Sequence, residues 1–136
     1  MVIDKSNYRK YMSATTTMNC SHRRITEIRY LPDSLETLYC YSNHITSLPD
    51  LPDSLVILYC EDNQLTSLPE LPDGLVKLDC DNNQLTSLPE LPADLKRLYC
   101  YGNRLPIDGR FYNKEAINEF KIKLDKIIKL EKFLLP

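Results

Sequence analysis

From Leu35 onward, apolar residues return in a fixed order. Leu35, Leu38 and Cys40 come first, then Ile45, Leu48 and Leu51, with polar residues and prolines between them. The order restarts at Leu55, Leu75 and Leu95, so the pattern repeats every 20 residues. Within it, Leu38-Tyr39-Cys40-Tyr41 alternates as a short half-buried strand does, one side chain inward and the next outward. Stacked copies predict a parallel sheet with about 4.8 Å between strands. Ile45 and Leu48 carry the chain back to the core. Pro49 and Pro52 predict an extended return rather than a helix, because proline fixes φ and biases the preceding residue away from the α region. Self-similarity at so short a period predicts a solenoid.

Two further columns share the period. Cys20, Cys40, Cys60, Cys80 and Cys100 take one apolar slot in every lap, and Asn43, Asn63, Asn83 and Asn103 follow three residues behind from the second lap on. An inward amide just past each strand can bond backbone groups of its own turn and of the neighbouring one. The cysteines are expected to be small buried apolar residues and reduced thiols. A straight ladder of one thiol per rung does not form the tetrahedron that structural zinc requires.

The stretches Asn63-Gln64-Leu65-Thr66-Ser67-Leu68-Pro69-Glu70-Leu71-Pro72 and Asn83-Gln84-Leu85-Thr86-Ser87-Leu88-Pro89-Glu90-Leu91-Pro92 show the unit in full. They resemble the shortest bacterial class of leucine-rich repeat, found in secreted effectors of the YopM and IpaH type. The cysteine-bearing form also resembles repeat proteins of giant viruses. The resemblance runs over roughly residues 15–107. It implies an α/β fold: a right-handed leucine-rich-repeat solenoid with a short parallel sheet on its concave face and an extended convex side. It also implies protein binding. In IpaH-type effectors the repeats are substrate adaptors for a ubiquitin-ligase domain that follows them; the 27 residues after Gly109 are too few for such a domain, so the alternative reading is a fragment or a stand-alone substrate adaptor of a ubiquitin-ligase system whose catalytic domain is absent from this chain.

The chain reads as one domain, 1–136: an N-terminal cap over 1–14, about five repeats over 15–107 and a helical cap over 108–136. The first lap is degenerate, with Arg23 in the asparagine slot and Thr15 in a leucine slot. Tyr8, Tyr11 and Met12 are expected to cover the first rung as a short helix. Asp108-Gly109 signals a turn. Ile117, Phe120, Leu124, Ile127, Ile128 and Leu134 then fall at helical spacing, with Asn113 as the N-cap.

Charge sharpens the picture. Residues 1–24 hold one acid and five bases, residues 25–109 fourteen acids and five bases, and residues 110–136 four acids and seven bases. An acidic body argues against nucleic acid, whose phosphates call for lysine and arginine. No apolar run approaches the ~20 residues of a membrane span. Acids interleaved with the helix lysines disfavour a membrane surface. The start shows no apolar stretch of signal-peptide type, so a cytoplasmic protein is expected, including one acting in the cytosol of an infected host cell. His22 and His44 sit in no catalytic motif, and no glycine-rich phosphate loop is present. No enzyme and no cofactor are expected. One acid per rung does not supply the 6–8 oxygens of a calcium site.

The outward strand positions are the candidate site. Tyr39, Tyr41, Tyr59, Tyr99 and Tyr101 are expected to lie exposed around an acidic centre of Glu61, Asp62, Asp79 and Asp81. Tyrosine offers large contact area at low entropic cost, and carboxylates steer a basic partner. The expected partner is a protein with a basic or apolar surface. Self-association into a homodimer through the helix or an open end is a further reading.

Overall fold

The computed structural model describes residues 1–135 and confirms the solenoid. Five strands carry the ladder: β3 (Thr17–Asn19), β5 (Thr37–Tyr39), β6 (Ile57–Tyr59), β7 (Lys77–Asp79) and β8 (Arg97–Tyr99). Each pairs in parallel with the next at a register of one lap, Leu38 opposite Leu58 and Leu58 opposite Leu78. The sequence period is therefore the physical period. One lap consumes 20 residues, so every column of the sequence becomes a column in space.

The strands are short because only three residues per lap lie in the sheet; the rest turn and return. Just past each strand, His22, Ser42, Asp62, Asn82 and Gly102 occupy the left-handed region. That conformation costs an ordinary residue roughly 1–2 kcal/mol and is easiest for Gly, Asn and Asp. At Gly102 the space is also closed: a β-carbon there would lie 2.3 Å from Asn82 Oδ1. On the far side the chain is extended, as the prolines predict. A turn closes each lap, with the Leu55 N–H donating to Pro52 O at 3.0 Å and the Leu75 N–H to Pro72 O at 3.0 Å.

The core is a thin column of leucine, isoleucine and cysteine. Leu38, Leu58, Leu78 and Leu98 are fully buried, as are all five cysteines. Burial holds each thiol far on the protonated side, and the Cys20 and Cys100 thiols are pushed up to about 12.

Both ends of the parallel ladder are closed by antiparallel strands. At the start, β2 (Met12–Ala14) pairs with β3. On the opposite side of the lap, β1 (Val2–Ile3) adds in parallel to β4 (Glu27–Ile28) and buries Ile3 completely. The expected short helix is a 3₁₀ turn over Tyr8–Tyr11. At the finish, β9 (Arg110–Phe111) pairs with β8. These antiparallel strands cover edges that would otherwise template pairing with another chain.

Helix α1 (Lys114–Leu134) follows, capped by Asn113, whose side chain accepts from the Ala116 N–H at 2.8 Å. It seals the last rung with Ile117 and Phe120, the latter packed on Phe111 at 4.5 Å between ring centroids. Leu124 packs partly against the core. The last turns project, leaving Leu130, Phe133 and Leu134 exposed; Ile122, in the first half, is exposed as well. No helix among the described residues is long and apolar enough to cross a membrane.

Candidate functional site

The asparagine column builds the platform on which the outward residues stand. Asn63 Nδ2 donates to Cys40 O at 3.0 Å and to Cys60 O at 3.2 Å, while Oδ1 accepts from the Ile45 N–H at 3.0 Å. Asn43, Asn83 and Asn103 each bond a cysteine carbonyl of their own rung and of the rung before in the same way. Each amide thereby satisfies the polar groups of two turns, which a leucine there would leave stranded.

On the open face the tyrosines are held by partners rather than standing free. Tyr39 and Tyr59 stack at 5.0 Å with 25° between their planes. Lys77, one lap beyond Ile57, extends between two rings, its Nζ 4.4 Å from the Tyr59 centroid and 5.3 Å from that of Tyr99. The same ammonium donates to the Tyr59 hydroxyl. Tyr99 leans on Tyr112 at 5.4 Å. Tyr41 meets His22 edge-on at 5.1 Å. Tyr101 is the most open of the five, 56% exposed, with the Arg110 guanidinium 5.6 Å above its ring.

The four carboxylates differ in environment. Glu61 and Asp79 are half-buried on neighbouring rungs. Burial pushes the Glu61 carboxyl up to about 7 and that of Asp79 up to about 6, and the neighbouring acids add to both shifts. Glu61 Oε2 has neither solvent nor a hydrogen-bond partner. Asp62 is exposed at the left-handed turn and accepts from Asn82 Nδ2 at 3.0 Å. Asp81 departs from the expected exposed position. It is buried, accepts from the Tyr101 N–H at 2.7 Å, and pairs with Arg110 Nε at 2.5 Å. The physical reason is β9, which lays a basic strand across the last rungs and takes Asp81 as an internal counter-ion.

Lys77 and Arg110 therefore belong to this face although neither stands among the expected site residues. Lys77 was legible as an outward strand position in line with Thr37, Ile57 and Arg97. Arg110 carried no sequence signal, since its place depends on the pairing of β9. Among the described residues, no three His, Cys, Asp or Glu side chains converge in a way that would hold a metal ion.

Comparison with known proteins agrees with this geometry. A family model described as leucine-rich repeats (2 copies) matches residues 33–73 and again 53–93. Among solved structures, the chain is similar to YopM from Yersinia enterocolitica WA-314, with 41% identity, a TM-score of 0.63, and coverage of 64% of this chain but 19% of that one. It is also similar to a Shigella effector leucine-rich-repeat domain, with 31% identity, a TM-score of 0.65, and coverage of 65% of this chain and 41% of the other. The chain thus spans less than half the length of either relative. No curated protein matches it.

Proposed function

Starting from a chain that is a leucine-rich-repeat protein of the bacterial effector type, we propose that it is a non-catalytic module that grips a protein partner on the open, concave face of its sheet. The fold class is generally an interaction scaffold rather than a catalyst. The observation that carries the reading is the ordered array Tyr39, Tyr59, Lys77 and Tyr99 beside the half-buried pair Glu61 and Asp79. Rigid aromatic anchors lose little entropy on binding, and a carboxylate without a partner favours an incoming cation. The partner's contact surface is therefore apolar with basic groups at its centre. The encounter we propose is in the cytosol of a host cell, a reading supported by the likeness to effector repeats.

The test is a pull-down from eukaryotic cytosol with the wild-type chain and the Tyr59→Ala/Tyr99→Ala variant. Capture is expected to fall at least about tenfold, the loss of one or two hot-spot residues. An unchanged captured set would remove the binding face from this sheet.

The projecting half of α1 favours a second reading, self-association. Exposed Leu130 and Phe133 lie there on a lysine-rich helix. Light scattering across concentration decides it: a mass rising to twice 15.8 kDa supports pairing, and a constant monomer mass excludes it.

A further inference from the structure

At the N-terminal corner the chain gathers cations where the rest of the solenoid gathers carboxylates. A cavity of about 330 Å³ opens there, and Lys10, Tyr11, Ser21, His22, Arg23 and Tyr41 form most of its wall. No acidic residue lines it. Neither Lys10 nor Arg23 has a carboxylate partner among the described residues. Arg23 is braced instead by a ring, its guanidinium 5.9 Å over Tyr11, and His22 stands edge-on to Tyr41.

The corner arises where the first lap departs from the repeat. In later laps the residue at this slot is an inward asparagine. Here it is Arg23, which is exposed, and Asn43 of the next lap serves the vacated turn by accepting from the Arg23 and Ile25 N–H groups at 3.0 and 2.9 Å. Arg24 also takes a left-handed conformation, with φ 56°, which no equivalent residue in later laps does. For a non-glycine residue that is strain of roughly 1 kcal/mol or more, and such strain concentrates at functional sites.

Ser21 lines the same wall, its N–H donating to Asn19 Oδ1 at 3.1 Å.

We infer that this corner binds a phosphate monoester, with the phosphate held by Arg23 and Lys10 and the organic group lying against Tyr11 and Tyr41. A monoester carries a charge of about −1.5 to −2 at neutral pH and three strong acceptor oxygens. Donors converging from several side chains suit that group, whereas a lone arginine fork already satisfies a carboxylate. The cavity is larger than a phosphate alone, and Tyr11 and Tyr41 supply aromatic surface in its remaining wall.

The test is an amide chemical-shift titration of the full chain at constant ionic strength, using phenyl phosphate, inorganic phosphate and phenyl sulfate. Phenyl phosphate is expected to give saturable shifts confined to residues 10–13, 19–24 and 41. Its affinity should exceed that for phenyl sulfate by at least about fivefold, as the second charge demands. Arg23→Ala and Lys10→Ala should each weaken it by at least about fivefold while leaving the other amides unmoved, and Lys129→Ala at the far end should change nothing. Unsaturable or scattered shifts, or equal binding by Arg23→Ala, overturn the site. Inorganic phosphate binding as tightly as phenyl phosphate overturns the monoester assignment in favour of a free anion.

Discussion

Asn63 Nδ2 donates to the carbonyl of Cys40 at 3.0 Å, across a full lap of the solenoid. This one bond ties a rung to its predecessor through a side chain, in addition to the backbone ladder. Because Asn63 also serves Cys60 O and the Ile45 N–H, its loss strands several buried groups at once. Asn63→Ala is expected to cost about 2–4 kcal/mol in urea unfolding, the sum of the desolvated groups left behind. Asn103→Ala, at the more open last rung, should cost clearly less. Equal costs at the two positions would refute the stitching role.

Glu61 makes stability depend on pH. Its folded-state carboxyl titrates at about 7, above the ordinary 4.5, so the folded chain keeps a proton that the unfolded chain gives up between those values. Stability from this group is complete below pH 4.5 and is lost as pH rises through 7. Asp79 acts in the same direction between 3.8 and about 6. Glu61→Gln is therefore expected to stabilise the protein at pH 8 by about 1 kcal/mol, after allowance for solvent screening of a half-buried group. The gain should vanish at pH 4, and denaturant midpoints at the two pH values read it directly.

All five thiols are buried and held protonated by that burial. In native buffer at pH 8, a disulfide reagent such as DTNB should react only at the rate of unfolding. Addition of denaturant should release all five at once. A fast-reacting thiol in the native chain would mean that the ladder is open at that rung.

Arg110 neutralises Asp81 from a strand that follows the repeats. Arg110→Ala leaves a buried carboxylate without its cation and is expected to lower the urea midpoint, by less than the loss of one partner of a fully buried pair because the guanidinium is half exposed. Arg110→Ala combined with Asp81→Asn should recover part of the loss. A double-mutant cycle with no coupling would show that β9 is held by its backbone alone.

The two halves of α1 should respond differently. Phe120 is 2% exposed and Phe133 is 87% exposed. Phe120→Ala is expected to cost about 3–4 kcal/mol and to loosen the last rung. Phe133→Ala should change stability by less than about 0.5 kcal/mol. A thermal melt of each variant distinguishes them.

The solenoid was legible because its code is periodic. Leu38, Leu58 and Leu78 recur at one spacing, and any register other than one lap would bring some of them to the surface. The left-handed turn column was less legible, because Asp62, Asn82 and Gly102 share it with His22 and Ser42. The caps were less legible, because a terminal strand has no neighbouring copy to announce it. Val2-Ile3 and Arg110-Phe111 are two residues each, too short for any alternation to show.

The chain alone determined the lap length, the buried columns and the outward positions of Tyr39, Tyr59, Asp79 and Tyr99, because a side chain's direction follows from its place in a three-residue strand. Tertiary structure decided which of those outward groups stay available. The closing strand that shields the sheet edge withdraws Asp81 to pair with Arg110, while Lys77 settles between two tyrosine rings. The irregular first lap turns Arg23 outward beside Lys10. Periodicity specifies what is repeated. Charge pairing and burial at the ends depend on segments that meet only once the column is built.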